Sequence, residues 1–139
     1  METKEFLEQY ALGQRNFKNI DLRDRCLSWE YLEGINLSYG DLSISILEGI
    51  DLTAANLKGA NLSRADLTAA NLYKANLRNV DLSWADLRGA ELAYANLLGA
   101  DLIGVSLTGA DLSNTIMPDG TVMPERTIIS KSRWSLRGI

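Results

Sequence analysis

Leucine recurs at every fifth position of this chain, from Leu22 to Leu112, without a gap. Nineteen leucines form the series, and Phe17 continues it toward the N terminus. Five steps turn an α-helix by about 140° beyond one full turn, so a helix would spread the leucines over its whole surface. In a flat strand, an odd period places successive leucines on opposite faces. The chain must therefore bend once in every repeat, so that each leucine points to a common inner side.

The other positions of the repeat are also specific. Asp or Asn precedes the leucine in fourteen of the nineteen repeats, and Ala stands two residues before it in ten. Gly stands two residues after it in seven repeats, where a turn would favour it. The first proline is Pro118, as expected if each backbone N–H must pair with a neighbouring coil. The repeat unit is therefore A(D/N)LxG, with the leucine and the residue two before it facing inward.

These residues resemble those of pentapeptide-repeat proteins, and the resemblance covers residues 15 to 116. It implies an all-β solenoid, a right-handed, quadrilateral (four-sided) parallel β-helix of about five coils, with twenty residues in each coil. At about 4.8 Å per coil the rod would be about 24 Å long. A register of twenty predicts one stacked column of asparagines, Asn16, Asn36, Asn56, Asn76 and Asn96. This column favours four sides over three or five.

Segments outside the repeats are predicted to close the two ends of the solenoid. Residues 1–14 form an N-terminal cap in this interpretation, with a helix from Thr3 to Leu12 that Gly13 ends. We expect Phe6, Leu7, Tyr10 and Ala11 to share its inner face. Residues 117–139 form a turn and a tail, in which Ile128 and Ile129 could cover the last coil. The segments 10–17 (YALGQRNF) and 115–121 (TIMPDGT) resemble the ends of cyanobacterial members of the family.

The composition excludes several kinds of chemistry. The chain has no histidine and a single cysteine, Cys26, so it lacks the usual imidazole base, a disulfide framework and a cysteine-only zinc site. No apolar run is long enough to cross a membrane, and we expect a soluble, cytoplasmic protein. With no nucleophile, base and orienting group together, we predict no enzyme activity, no cofactor and no small-molecule substrate.

The acidic residues before the leucines offer two interpretations. Asp21, Asp41, Asp81 and Asp101 fall in one column, interrupted by Asn61, where stacked carboxylates could hold a cation. Alternatively, each side chain accepts a hydrogen bond from nearby backbone, as in an Asx turn, and this interpretation is favoured. In the first coils, Arg25 and Glu30 stand at inward positions. Either they form a buried ion pair, or the first coil opens beneath the cap helix, and in both cases this end is a candidate docking surface.

The charges on the outward positions bear on possible partners. Family members that shield DNA gyrase resemble DNA in shape and carry dense negative charge. Here the outward positions and their near neighbours hold four acids against eight bases, which disfavours that role. The acids are Asp24, Glu30, Glu33 and Glu48, and the bases are Lys18, Arg23, Arg25, Lys58, Arg64, Lys74, Arg78 and Arg88. The basic residues are too sparse to indicate nucleic-acid binding.

Outward aromatic residues are the most unusual feature of the surface. Trp29, Tyr39, Tyr73, Trp84 and Tyr94 all follow a leucine, at positions that should face solvent. Rows of exposed aromatic residues mark interfaces, although here they could also shield the aliphatic stems of neighbouring cations. We therefore predict a protein-binding surface made by Trp84, Tyr94, Arg64, Lys74, Tyr73 and Trp29. The basic tail, Arg126, Lys131, Arg133 and Arg137 around Trp134, could be a cap or a flexible arm.

Taken together, the sequence predicts a non-enzymatic protein-binding or scaffolding module in a cyanobacterium, and regulation is one role that such a module would serve. Its partner is expected to be another protein, and the chain itself a monomer or a small oligomer. A DNA mimic that protects or inhibits gyrase is the alternative function. A mimic needs an acidic outer face, whereas a binding module needs a patch such as the aromatic and basic residues named above.

Overall fold

A computed structural model of the chain describes residues 1–130. The backbone pairs with itself in parallel at a constant separation of twenty residues, from Asn16 with Asn36 to Asn96 with Ile116. Within the described residues each side of a coil contributes a single bridging residue, and α1, Thr3–Ala11, is the regular element. Twenty residues per coil and five per repeat give four sides, so residues 16–115 make five coils.

The four sides are named here as walls A to D, after the residues at their centres. Asn16, Asn36, Asn56, Asn76 and Asn96 centre wall A, and Asp21, Asp41, Asn61, Asp81 and Asp101 centre wall B. Cys26, Ile46, Asp66, Asp86 and Ser106 centre wall C, and Tyr31, Asp51, Asn71, Glu91 and Asp111 centre wall D. The two-residue turns between the walls form four edges, AB, BC, CD and DA. The predicted asparagine column is confirmed.

Backbone hydrogen bonds of two kinds hold the coils. Between coils, the N–H of Leu57 donates to the carbonyl of Asn76 at 2.8 Å, and the N–H of Asn76 donates to Ala55 at 2.9 Å. Within the repeats, the N–H after the turn returns to the leucine carbonyl, as from Ala60 to Leu57 at 2.9 Å, except at Arg25, where the Ser45 hydroxyl bridges the N–H and the Leu22 carbonyl. The second turn residue has a positive φ, which suits glycine, as at Gly59 with φ of 66°.

The core is the column of leucines with the small residues two positions before them. Leucines such as Leu57 and Leu77 have no exposed surface, and alanines such as Ala55 and Ala75 are buried beside them. Small residues fit because four walls meet around one narrow axis, and close packing leaves no room for four large side chains per layer in addition to the leucines. The prediction that the leucine and the residue two before it face inward is confirmed.

The Asp and Asn residues at the wall centres act as Asx turns, which confirms the favoured interpretation. In all fifteen repeats that carry one from Asn16 to Asp111, the Oδ1 atom accepts the N–H two residues later, at 2.9 to 3.2 Å. A Ser or Thr at that later position adds a hydroxyl donor to the same oxygen, as from Thr53 to Asp51 at 2.6 Å. This side chain therefore fixes the turn at the end of each wall.

Helix α1 packs on the first coil. Phe6 is fully buried, with its ring centroid 4.8 Å from that of Phe17 in an edge-on arrangement, and Leu7 and Tyr10 pack against the core. The prediction that Ala11 shares this face is wrong, because Ala11 is exposed. Five residues separate it from Phe6, which turns it about 140° around the helix. Gly13, with φ of 103°, follows the helix and donates its N–H to Tyr10.

Arg25 and Glu30 do not form an ion pair among the residues that the structure describes. Both are partly buried, and the Arg25 guanidinium reaches the start of α1. It donates to the Met1 carbonyl at 3.0 Å and to the Thr3 hydroxyl at 3.2 Å. The first coil is not opened either, because the Arg25 and Glu30 carbonyls accept hydrogen bonds from Ile46 and Asp51 of the second coil. Neither alternative is therefore found, and the Arg25 side chain instead holds the cap helix on the end of the rod.

The chain after the last coil folds back over it. The Gly120 N–H closes the turn onto Met117, and Ile128 then bridges Asp111 in an antiparallel direction. Ile129 is buried, as predicted, but Ile128 is 56% exposed, because neighbouring residues of an extended segment point to opposite sides. The residues predicted to make a basic arm, Lys131, Arg133, Trp134 and Arg137, lie outside the described residues.

Candidate protein-binding surface

The six residues predicted to form one binding surface lie at three separate edges of the rod. Trp84 and Arg64 stand at the BC edge, and Trp29 stands at the CD edge. Tyr73, Lys74 and Tyr94 stand at the DA edge, on the opposite side from Trp84. Tyr94 follows Trp84 by ten residues, which is half a coil, so the two point in opposite directions. A single small contact cannot include all six.

The DA edge holds a compact cluster of aromatic rings and a cation. The rings of Tyr73 and Tyr94, on successive coils, lie 5.9 Å apart at 81°. The Lys74 ammonium lies 5.3 Å from the centre of the Tyr73 ring, within range for a cation–π contact. Tyr94 is 51% exposed. We call these three residues the tyrosine cluster.

The BC edge carries a second aromatic and basic pair. The Arg64 guanidinium lies 6.0 Å from the Trp84 ring, at the limit of a cation–π contact, and Trp84 remains 58% exposed. The predicted neighbourhood of the two residues is confirmed. Ile44, one coil before Arg64 in the same column, is also exposed.

Most of the aromatic residues at the second turn position lie over a glycine of the next coil. Trp29 covers Gly49, Tyr39 covers Gly59 and Trp84 covers Gly104. A Cβ atom added to these glycines would lie 2.2 to 2.5 Å from the ring above it. The sequence carries the signal for this contact, an aromatic residue followed twenty positions later by glycine. Tyr94 differs from the others, because Asn114 stands twenty residues after it.

Several cations on or beside wall A lie outside the ion pairs of the described residues. The ion pairs of the described residues are Lys4–Glu8, Arg23 with Asp21 and with Asp41, and Arg88–Asp86. Lys58, Lys74 and Arg78 therefore have no carboxylate within 4.0 Å in that part of the chain. All three lie on wall A or at its edges in the third and fourth coils, beside the tyrosine cluster.

Two of the ion pairs perturb carboxyl groups of the wall centres. The Arg23 guanidinium, 2.9 Å from Asp21 at its nearest oxygen, lowers the pKa of that carboxyl to about 2. Arg88 likewise lowers the pKa of Asp86 through its side-chain hydrogen bonds. Both carboxylates also accept the Asx hydrogen bond, so the shifted groups belong to the turn structure.

The described residues contain no group of three or more His, Cys, Asp or Glu side chains that could hold a metal ion. The column Asp21, Asp41, Asn61, Asp81 and Asp101 is stacked as predicted, but each Oδ1 atom in it accepts the Asx hydrogen bond. Cys26 is exposed at the centre of wall C, 3.7 Å from the Ser28 hydroxyl. The geometry offers rings, cations and amides for contact with a partner.

Comparison with known proteins identifies the class. The chain matches the pentapeptide repeats family, in eight copies, over residues 45–83 and 81–117, and it belongs to this family. The family forms right-handed quadrilateral β-helices, and the solved neighbours confirm the predicted fold. None of the curated proteins searched matches the chain.

Three solved structures show where the chain stands among its relatives. It is similar to the pentapeptide repeat protein Rfr23 from the cyanobacterium Cyanothece 51142, with 22% identity over 93% of this chain and 100% of that one, and a TM-score of 0.79. A pentapeptide repeat protein from the Arabidopsis thaliana thylakoid lumen is 35% identical over 70% and 72% of the two chains, with a TM-score of 0.47. HetL, involved in heterocyst differentiation regulation in Nostoc sp. strain PCC 7120, is 26% identical over 88% and 100%, with a TM-score of 0.43.

Among the residues described, no helix has the length and apolar character needed to cross a membrane.

Proposed function

We propose that this protein is a non-enzymatic binding module of the cyanobacterial cytoplasm, and that its partner is another protein with an acidic surface. The tyrosine cluster and the neighbouring cations of wall A form the contact. Tyr94 carries this proposal, because its aromatic side chain stands at a backbone position that disfavours it and makes no compensating contact with a glycine.

The backbone of Tyr94 has φ of 61°, in the left-handed region. A bulky residue there costs about 1 to 2 kcal/mol relative to the ordinary regions, whereas glycine adopts it freely. Trp29, Tyr39 and Trp84 stand at equivalent positions but pack on a glycine of the next coil. Tyr94 has no glycine beneath it: its ring stands edge-on to Tyr73, and it exposes about half of its surface, as the other three rings also do. An exposed ring kept at a strained position is better explained by a partner than by the fold.

The cations near this cluster define the partner's chemistry. Lys58, Lys74 and Arg78 have no carboxylate within ion-pair distance among the described residues. The amides of the asparagine column run between them along wall A. Aromatic rings beside unpaired cations suit a protein surface that presents carboxylates around an apolar contact.

The proposal is tested by affinity capture from a cyanobacterial lysate with mass spectrometry, followed by titration of the purified captured protein. The test variant combines Tyr94→Gly with Lys74→Glu. Glycine is unstrained at that position, so the coil should keep its stability while the ring and the cation are lost. We expect affinity to fall by at least about tenfold, and capture to weaken with added salt.

The matched control combines Trp84→Gly with Arg64→Glu. The Arg64 guanidinium lies 6.0 Å from the Trp84 ring, so this pair has similar chemistry but stands at the BC edge, on the side of the rod opposite the tyrosine cluster. The control should bind as the unaltered chain does. Equal affinity of the test variant and the unaltered chain would show that the tyrosine cluster is not the contact.

A gyrase supercoiling assay run in parallel separates the two functional hypotheses. The excess of outward bases over acids leads us to expect no inhibition at concentrations that saturate the captured partner. Gyrase inhibition would replace the binding-module proposal with the DNA-mimic alternative.

A further inference from the structure

Wall C exposes apolar side chains where the repeat has no structural use for them. The wall centres carry Asp or Asn in fifteen of the twenty repeats from residue 16 to residue 111. On wall C, however, Cys26 and Ile46 take that place, and Ile46 is 50% exposed. Neither residue can supply the Asx hydrogen bond. Ile44 at the BC edge and Trp29 at the CD edge extend this apolar surface, with 51% and 62% of their surface exposed.

The charges of wall C and its edges change sign along the rod. In the second coil, Glu48 stands at the CD edge, across wall C from Ile44. Two coils further, Arg88 stands at the CD edge, paired with Asp86 and across wall C from Trp84. Arg64, in the coil between them, has its guanidinium 6.0 Å from the Trp84 ring of the fourth coil. One end of the surface is therefore apolar and acidic, and the other end is aromatic and basic.

We propose that wall C joins two copies of this chain in an antiparallel dimer with a twofold axis. The axis lies in the plane of the interface, perpendicular to the rod, and passes through the third coil at Thr68. The coils of the two copies then run in opposite directions, and each column faces the same column of the other copy. Glu48 of each copy then faces Arg88 of the other, and Ile44 faces Trp84 of the other. Because the axis repeats each contact, one wall supplies two ion pairs and two apolar contacts.

The residues at the centre of this arrangement allow the two walls to approach. The CD column reads Gly49, Ala69 and Gly89 across the axis, and the Trp29 ring that covers Gly49 faces Gly89 of the other copy. A Cβ atom on Gly89 would meet only the backbone nitrogen of Ala69, at 4.0 Å. Asp66 and Arg64 of the third coil each face their own counterpart at the axis, and each Arg64 also lies diagonally across from Asp66 of the other copy. Each of these two like-charge pairs therefore has opposite charges as its diagonal neighbours.

The length of the wall limits the strength of the contact. A rod of about 24 Å buries less area along one wall than the roughly 800 Å² per partner of a standard interface. We therefore expect a dimer in the micromolar range or weaker, sensitive to ionic strength. The charge pairs and apolar contacts between the second and fourth coils set both the partner and the direction of packing.

Sedimentation velocity on the full chain tests the dimer, over about 1 µM to about 1 mM, a range chosen for a weak interface. We expect a concentration-dependent shift from monomer to dimer. Glu48→Arg alone and Arg88→Glu alone should each weaken association by at least about tenfold, because each places like charges together twice. An equimolar mixture of the two variants should recover the dimer, since both contacts then pair Arg with Glu.

Recovery in the mixture also shows that both variants fold, and thermal melting of each variant checks this separately. A monomer at all concentrations, variants that associate as the unaltered chain does, or a mixture of folded variants that stays monomeric would each overturn the proposal. Lys74→Glu should leave the dimer unchanged, because Lys74 stands at the DA edge, which does not border wall C. This control makes loss of the dimer and loss of the acidic partner distinguishable.

Discussion

The ring of Trp84 lies on the backbone of Gly104, one coil further along the rod, so closely that a Cβ atom on Gly104 would lie 2.4 Å from it. Trp84 is therefore an exposed surface residue that also packs against the fifth coil and stabilises its contact with the fourth. Gly104 has φ of 70°, so its lack of a side chain serves both the turn and the close approach of the indole.

Gly104→Ala should destabilise the fold more than Gly89→Ala. Both positions have a positive φ, which costs an alanine about 1 to 2 kcal/mol, but Gly89 has open space above it. The clash with Trp84 should add about 1 kcal/mol or more at Gly104. The free energy of unfolding of both variants is measured in urea, first alone and then with each combined with Trp84→Gly. The difference between the two alanine variants should disappear in the Trp84→Gly background, and its persistence would locate the cost elsewhere.

Glu91→Asp should stabilise the protein. Glu91 stands at the centre of wall D, where most repeats have Asp or Asn, and no hydrogen bond from the Ala93 N–H to its side chain is present in the described structure. Aspartate has the shorter side chain that closes an Asx turn, so the free energy of unfolding should rise by about 0.5 to 1.5 kcal/mol. Urea unfolding beside Glu91→Gln, which keeps the longer side chain, isolates the effect. Equal gains from both variants would rule out the Asx explanation.

The period of five was sufficient to predict how the coils are built. An inward leucine in every repeat allows one solution, a bend per repeat, and the column from Asn16 to Asn96 sets four bends per coil. The inward Arg25 was harder to place, because its partners, the Met1 carbonyl and the Thr3 hydroxyl, come from a helix packed by tertiary contacts. No local pattern specifies such a contact.

The candidate surface was only partly predictable. The stacking of Arg64 with Trp84 follows from their separation of twenty residues, which places them in one column. The same rule puts Trp84 and Tyr94, ten residues apart, on opposite edges, so the sequence already contains the separation of the six residues into three groups. The edge-on contact of Tyr73 with Tyr94 depends on side-chain rotation and required the structure.

Asp21 should contribute to the acid sensitivity of the fold. Its pKa, lowered to about 2 by the hydrogen-bonded Arg23, lies below that of an unfolded aspartate. A carboxyl with a lowered folded pKa stabilises the protein above the unfolded pKa of about 3.9, and this contribution is lost as pH falls toward the folded value. Asp21→Asn keeps the Oδ1 acceptor of the Asx turn but removes the charge.

Urea unfolding of Asp21→Asn should therefore show a smaller loss of stability than the unaltered chain between about pH 4 and about pH 2. At neutral pH the variant should be somewhat less stable, because Arg23 loses its closer carboxylate and keeps only Asp41, at 3.7 Å. Asp51→Asn is the matched control, since Asp51 has the same Asx geometry without an ion pair in the described structure. Identical pH profiles for the Asp21 variant and the unaltered chain would contradict the assigned cause.

Phe6→Ala should release the cap helix before it affects the middle coils. Phe6 is fully buried against Phe17 and anchors α1 on the first coil, so truncation removes contacts worth about 3 to 5 kcal/mol in a typical core. A solenoid distributes its stability between neighbouring coils, so the loss should remain near the end. Hydrogen exchange should show unprotected α1 and first-coil amides with near-normal protection from the third coil onward. Leu12→Ala, at a residue 87% exposed, should change neither, and uniform loss of protection in Phe6→Ala would indicate a single cooperative unit instead.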